Sequence, residues 1–473
     1  MPLGPLDLYR RIASPSRASF LLESAGSGPG SIGRYSFIGS GPTEIVSINP
    51  ELDPADRDPF APLKRSISGP ISCRPGLPPF FGGAVGYFSY DFARRLERLP
   101  QKLDDNLGIP EGQFGLFDLV IVVDHLLGRT QIVFCPPLNR FLSEPREKLY
   151  REGLDRVAEC EAKLAQRLSP LDIRPLEEPI AFEPEQTRES YLESVRRCQE
   201  YIRAGDIYQA NLSHRFSFPI SARHWSAAER LLYEQCLYRQ LQAVNPSPFS
   251  GLLHFDDVSL ISCSPERLIC LRGCVAETRP IAGTRRRGGS AADDRRLVAE
   301  LLASEKERAE HLMLVDLARN DLGRVCDCGS VKVQEFCTIE QYSHVSHIVS
   351  NVSGRLRLGA TPFDLIRAVF PGGTITGVPK FRCMEVIDEL EPVRRGPYTG
   401  SFGYIGWSGD MDFNIIIRTL VMARQRGLLQ VGAGIVSDSN PGREYQETLD
   451  KAQAFFSSFA CRPPCGSIST IDS

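Results

Sequence analysis

Glu307 and Glu310 in SEKERAEHLMLVDLARNDLGRV, and Glu444 and Glu447 in GREYQETLDKAQAFF, are glutamate pairs three residues apart. On a helix that spacing sets both carboxylates on one face. Most such pairs are solvated and bind nothing. Here the first face runs on to Leu314 and an apolar stretch, and the second carries Lys451, so both faces read as partly buried. A buried carboxylate is costly unless a cation or hydrogen bonds neutralise it. Two such faces suit a clamp for a hard divalent ion, and carboxylate oxygens without Cys or His beside them favour magnesium or manganese over zinc.

Other segments join glycine to charged or hydroxyl residues. In FPGGTITGVPK, Gly372 and Gly373 permit close backbone approach, and Thr374, Thr376 and Lys380 offer donors to an anion. The spacing is not that of a P-loop, which makes nucleotide binding the weaker reading. Arg418 interrupts the apolar run DFNIIIRTL, where a guanidinium needs an anionic partner, either a ligand or a structural carboxylate. His347 in YSHVSHIVSN sits in strand-like alternation, where histidine is more often a core hydrogen bonder than a proton carrier. Glu266 in SPERL falls at a strand turn and has no role until a substrate is in view. The basic run Arg285 to Arg287 reads as a solvated loop. Cys326 with Cys328, and Cys461 with Cys465, lack the second ligand pair that a structural zinc site needs.

The elements that must hold these residues belong to a large soluble protein. A chain of 473 residues suggests two subdomains or one interleaved body. Lys plus Arg number 55 against 58 Asp plus Glu, a net charge of -3 that gives no bulk attraction to nucleic acid or anionic membrane. The N-terminus lacks a signal-type apolar core, and no stretch reaches the roughly 18 apolar residues of a membrane span. A cytoplasmic location is expected. Proline-rich texture around SPLDIRPLEEPIAFEPEQ divides residues 1–165 from a second region, 187–460. Strands are expected at DIYQANLSHRFSF, in the hairpin-like pair GLLHFDDVSLISCSPERLICLRGCVAETRPIAG, and at GSVKVQEFCTIEQYSHVSHIVSNVSGRL, SFGYIGWSG, DFNIIIRTLVMA and LQVGAGIVSD, and helices at REKLYREGLDRVAECEAKLAQRL and RESYLESVRRCQEYIRAG, the last capped by Gly205. Strands and helices come in clusters, which argues for an α+β fold with largely antiparallel sheets.

Taken together, FLLES, GRYSFIG, FGGAVGYFSYD, PIAGT, FPGGTITG, DFNIIIRT and YQETLDKA resemble the chorismate-utilising enzymes, which include anthranilate synthase component I, aminodeoxychorismate synthase component I and the isochorismate and salicylate synthases. The resemblance covers most of the chain. It implies two large, mostly antiparallel β-sheets packed face to face with helices outside, an N-terminal subdomain over 1–165 and a chorismate-binding region over 187–460. It further implies magnesium held by Glu310 and Glu447, with Glu307 and Glu444 behind them. Arg418, Tyr398 and the Gly434 backbone match the site of the pyruvyl carboxylate, Thr374 lines the ring site, and Lys451 lies beside the metal. Glu266 matches the general acid that protonates the departing ring hydroxyl, and His347 a histidine that assists proton transfer. Leu22, Glu23 and Ser24 of FLLES, with Asn245 and Pro246 of NPSPF, match a tryptophan pocket.

The entering nucleophile is partly readable. Gln209 stands where water-adding relatives carry a lysine base, which favours an amine product. Asn211, FPGGTITG, and Phe413 with Asn414 lean toward aminodeoxychorismate synthase, which uses chorismate and ammonia from a separate glutamine amidotransferase subunit on the way to p-aminobenzoate and folate. Ala282 leans the other way, because it replaces the lysine of PIKGT that forms a covalent adduct, and a methyl group is no nucleophile. The expected activity is aminodeoxychorismate synthase. The alternatives are anthranilate synthase component I, which releases anthranilate and pyruvate, and a non-catalytic module that binds an amino acid.

Overall fold

The computed structural model describes residues 3–24, 33–49, 58–67, 76–100, 103–167, 181–220, 226–341 and 345–458. Cys461 and Cys465 lie outside them. Two antiparallel sheets organise the chain, one of eleven strands and one of ten among the described residues. The first sheet runs Gly377–Val378, Gln209–Pro219, Arg426–Ile435, Thr419–Ala423, Val258–Ser264, Phe249–His254, Ser19–Glu23, Tyr35–Ser40, Leu119–Asp124 and Arg129–Phe134, with Glu183–Pro184 beside Gln209–Pro219. In the second the order is Ile281–Arg286, Val345–Arg355, Val275–Thr278, Arg267–Arg272, Met411–Asn414, Ser401–Gly406, Gly83–Phe88, Gly112–Phe117 and Glu44–Ile48, with Lys332–Gln341 on Val345–Arg355. Ser19–Glu23 pairs with Phe249–His254, and Gly83–Phe88 with Ser401–Gly406, so hydrogen bonds join stretches from both sides of the proline-rich divide.

Alternation of side chains sorts the apolar residues into layers. Val85 and Tyr87 join Phe20, Phe37, Leu253, Phe402 and Val421 in a core between the two sheets, while Ala84 and Phe88 face outward into a second core with Val315 and Phe363. On the far side Leu21, Leu252 and Leu429 pack against Leu241 and Phe455. These are the face-to-face sheets and outer helices expected from the sequence. Helix Arg188–Ala204 ends at Gly205 with φ 83°, a left-handed C-cap. No helix among the described residues is long and apolar enough to cross a membrane.

One stretch expected as a continuous strand is broken, and the turn expected at SPERL is a crossing from one sheet to the other. DFNIIIRTLVMA divides into Met411–Asn414 in the second sheet and Thr419–Ala423 in the first, and LISCSPERLICL divides at Pro265 and Glu266 in the same manner. Apolar side chains at every position of 415–417 suit a segment buried on all sides as it passes between layers, which periodicity alone does not distinguish from a buried strand. Asn414 ties the layers there: its side chain accepts from Phe402 N at 3.2 Å and donates to Phe249 O at 3.2 Å. Asn414→Ala leaves both backbone groups without this partner. We expect a loss of about 2 kcal/mol in denaturant unfolding at unchanged m-value, and an unchanged midpoint would contradict this role.

Candidate active site

Glu266 and Arg418 both come from those sheet-to-sheet crossings, and the crossings are bonded to each other. Ile415 N donates to Glu266 O at 3.0 Å, and the Ser264 hydroxyl to Ile415 O at 2.7 Å. Arg418 adopts φ 49°, a left-handed conformation rare for arginine and typical of strained functional positions. Burial opposes the charge of its guanidinium and Glu266 supports it. Among the described residues no ion pair or hydrogen bond holds that guanidinium. The anionic partner sought from the sequence is therefore not a salt-bridged carboxylate. Glu266 is buried, and burial pushes its carboxyl up to about 7, against the Thr374 hydroxyl, Arg418 and the Ile281 amide, which favour the ionised form.

His347 lies on Val345–Arg355 with Nδ1 3.4 Å from Gly283 O. Burial, then the charge of Arg418, lowers it to about 4, so it is neutral at physiological pH. Ala282 is buried on the neighbouring strand, opposite Ile348. Glu266, Thr374, Arg418 and His347 are thus brought together. Thr376 and Lys380 are not anion donors: Thr376 donates to Gly372 O at 2.8 Å, and Lys380 is held by Asp321 at 2.6 Å.

Strands Gln209–Pro219 and Arg426–Ile435 form an adjoining wall in which Gly434 is opposite Asn211. The absence of a side chain at Gly432 is required there, because a methyl group would stand 2.8 Å from the Tyr398 hydroxyl and overlap Asn211 Oδ1. The Gln209 side chain covers Gly434. Gln209 Oε1 and Asn211 Oδ1 are buried acceptors with no hydrogen-bond partner among the described residues, a deficit that a bound donor would repair.

Arg395 and Glu391, which sequence reasoning missed, hold this wall. Arg395 donates to Glu391 at 2.7 and 2.9 Å, to Asn211 O at 2.6 Å, to Ile375 O at 3.0 Å and to Thr399 Oγ1 at 3.2 Å, and Glu391 accepts from Ser213 N at 2.8 Å. Their signal in the sequence was only a charged pair four residues apart, a common surface pattern.

The glutamate pairs arrive on helices Glu305–Gly323 and Pro441–Ser458. The first packs on Ile281–Arg286 and Val345–Arg355, the second on Arg426–Ile435, so each sheet contributes one helix. Their charges meet. The Glu310 carboxyl is raised by burial and by Glu307, Asp438 and Glu447, against Lys306; that of Glu444 is raised by burial and Glu447, against Ser439, Lys306 and Lys451. Glu447 pairs with Lys451 at 2.7 Å, and Lys451 also donates to Gly432 O at 2.8 Å. Arg285 is no solvated loop residue: it lies on a strand, half-buried, 3.2 Å from Glu307. Among the described residues no three His, Cys, Asp or Glu side chains close on a common point at ligand distance. The donor chemistry, crowded carboxylates whose mutual repulsion a cation would relieve, fits a hard divalent ion, and Arg285 and Lys451 pair with two of the four, Glu307 and Glu447.

A separate cavity of about 400 Å³ is walled by Leu22, Glu23, Ser24, Phe249, Arg272 and Tyr404. Glu23 accepts from the Tyr238 hydroxyl at 2.8 Å. Asn245 and Pro246 do not line it; the NPSPF segment contributes Pro248 and Phe249 instead.

Residues 18–457 match the family of chorismate binding enzymes. "Anthranilate synthase component 1" of Thermus thermophilus is 44% identical over 95% of this chain and 94% of its own, and the protein of the same name from Acetivibrio thermocellus is 38% identical over 95% and 91%. The crystal structure of anthranilate synthase component I from Streptococcus pneumoniae superposes with TM-score 0.77 at 33% identity, covering 91% of this chain and 93% of that one. This chain belongs to the chorismate binding enzymes. The names of these relatives overturn the expectation of aminodeoxychorismate synthase. Of the residues behind that expectation, Asn414 and Phe413 are explained by packing: Asn414 joins the sheets and Phe413 lies in the outer core.

The burial of Glu266 sets a pH dependence of stability. Below about pH 4.5 its carboxyl is protonated in both folded and unfolded chains; between 4.5 and about 7 only the unfolded chain ionises, so wild-type stability falls as pH rises. Glu266→Gln should remove a penalty on the order of 3 kcal/mol at pH 8 and none at pH 4, read by denaturant titration at the two values. An equal difference at both would refute the shift.

Proposed function

We propose that this chain converts chorismate and ammonia to anthranilate, pyruvate and water as the chorismate-acting component of an anthranilate synthase. The observation that carries the reading is a buried carboxyl protonated near neutrality, Glu266, beside the half-buried guanidinium of Arg418, which has no ion-pair partner among the described residues, in a chain whose relatives bear that name. Ala282 agrees, since the site has no amine there for an enzyme adduct. Arg418 receives the pyruvyl carboxylate in two parallel hydrogen bonds, with the Tyr398 hydroxyl and the Gly434 amide completing its place. Glu266 gives its proton to the departing hydroxyl, which hydroxide chemistry requires. Neutral His347 accepts or relays a proton without adding a second positive charge beside Arg418.

Glu310 and Glu447 would hold a magnesium ion, with Glu307 and Glu444 behind them. When bound, the ion supplies positive charge to the ring carboxylate. Ammonia comes from a separate glutamine amidotransferase subunit, a division that the words "component 1" in the relatives' names support. The cavity at Leu22, Glu23 and Ser24 is a candidate for tryptophan as regulator, its apolar walls suiting the indole.

Incubation with chorismate, magnesium and ammonium should yield fluorescent anthranilate with equimolar pyruvate; p-aminobenzoate appearing only after addition of a lyase would overturn the reading. Glu266→Gln should lower kcat by about 100-fold or more with little change in chorismate KM, and wild-type kcat/KM should fall above about pH 7 as the acid ionises. Chelation should abolish turnover and magnesium restore it; full activity in chelator would remove the ion from the proposal.

A further inference from the structure

A small cavity of about 40 Å³ lies behind Glu266 and Thr374, on the side of helix Glu305–Gly323. It has room for a few molecules the size of water. A surface groove of about 570 Å³ opens beside it, with Tyr208 and Phe381, both exposed, at its rim. Leu317 and Asp321 line both spaces. Leu317 lies flat on Gly373, and even a methyl group at Gly373 would collide with it. The half-buried side chain of Leu317, with Asp321 beside it, therefore stands between groove and inner cavity.

We propose that this groove and cavity are the entry route of ammonia to the Glu266 end of the site, with Leu317 over Gly373 as its aperture. The proposal rests on the amine-forming reaction put forward above. Leu268, Leu314, Val369 and Ile415 form the apolar side of a cavity whose other lining includes Arg267, already paired with Asp412, and Thr278; this lining admits neutral ammonia and penalises ammonium, since a cation is costly against apolar walls and beside a guanidinium. Asp321, the carboxylate in the shared wall, is taken by Lys380 at 2.6 Å and does not trap the cation. The entering nitrogen lone pair forms the bond to ring carbon 2 and the nitrogen gives up one proton, while the bond between carbon 4 and its oxygen breaks and the hydroxyl leaves as water with a proton from Glu266. The carbon-2 proton is then lost as the bond between carbon 3 and its oxygen breaks, and the released enolpyruvate gains a proton at its methylene carbon to become pyruvate, so chorismate plus ammonia balances anthranilate, pyruvate and water.

Two variants of the full chain test the route, with ammonium chloride and methylamine as probes. Leu317→Trp should raise the KM for ammonium about fivefold or more while the KM for chorismate stays within about twofold. Leu317→Ala should widen the aperture and increase N-methylanthranilate formation from methylamine, relative to anthranilate from ammonium, by about threefold or more. Unchanged ammonium KM in the first with an unchanged methylamine ratio in the second would overturn the route; if Leu317→Trp does not fold, the methylamine ratio of Leu317→Ala decides. A wild-type protein that forms no anthranilate under any condition would remove the functional reading and the route with it, whereas active wild type with indifferent variants removes the route alone.

Discussion

The hydrogen bond from Ile415 N to Glu266 O, 3.0 Å long, fastens together the two places where the chain leaves one sheet for the other. Everything chemical in the site depends on it. A side chain within a strand of either sheet points into a core or into a helix layer, where a charged group would be matched or excluded. At a crossing the backbone belongs to neither layer. Glu266 can therefore be buried and Arg418 half-buried, close enough to influence one another, with no salt bridge among the described residues.

The contrast with Arg395 shows how deliberate that arrangement is. Arg395 is buried more deeply than Arg418, and its guanidinium is spent on Glu391 and three backbone or hydroxyl acceptors. A buried ion pair satisfied in this manner adds little net stability, but removing one member strands the other. Its effect is geometric: it locks the strand of Asn211, the loop of Thr374 and the turn of Tyr398 in one relation. The glutamate helices follow the same division, each docked on its own sheet, so their mutual approach is set by how the two sheets stack.

The residues that divide the amine-forming branches were legible as letters and misleading as chemistry. Phe413 and Asn414 were weighed as product determinants, but Asn414 spends its amide on Phe402 and Phe249, and Phe413 packs in a core. Ala282, which pointed the other way, is an argument about what a side chain can do: no rearrangement turns a methyl group into a nucleophile. Chemical incapacity carried more information than similarity of motif.

From the amino-acid sequence alone came the α+β class, the antiparallel sheets, the helical glutamate faces, Gly205 as a cap and the family, because periodicity, turn residues and motif order are local properties. A turn at Glu266 was legible, but its passage from one sheet to the other did not come from the sequence, and neither did the break at 415–418, since an apolar run looks alike within a strand and between sheets. Nor did the pairing of Arg285 with Glu307, the hub at Arg395, or the contrast between a guanidinium left without a partner at Arg418 and an ammonium pinned at Lys380. Those are decided by which distant carboxylates and carbonyls come within hydrogen-bond reach, and by how much water is excluded around them, quantities that exist only once the two sheets have closed on each other.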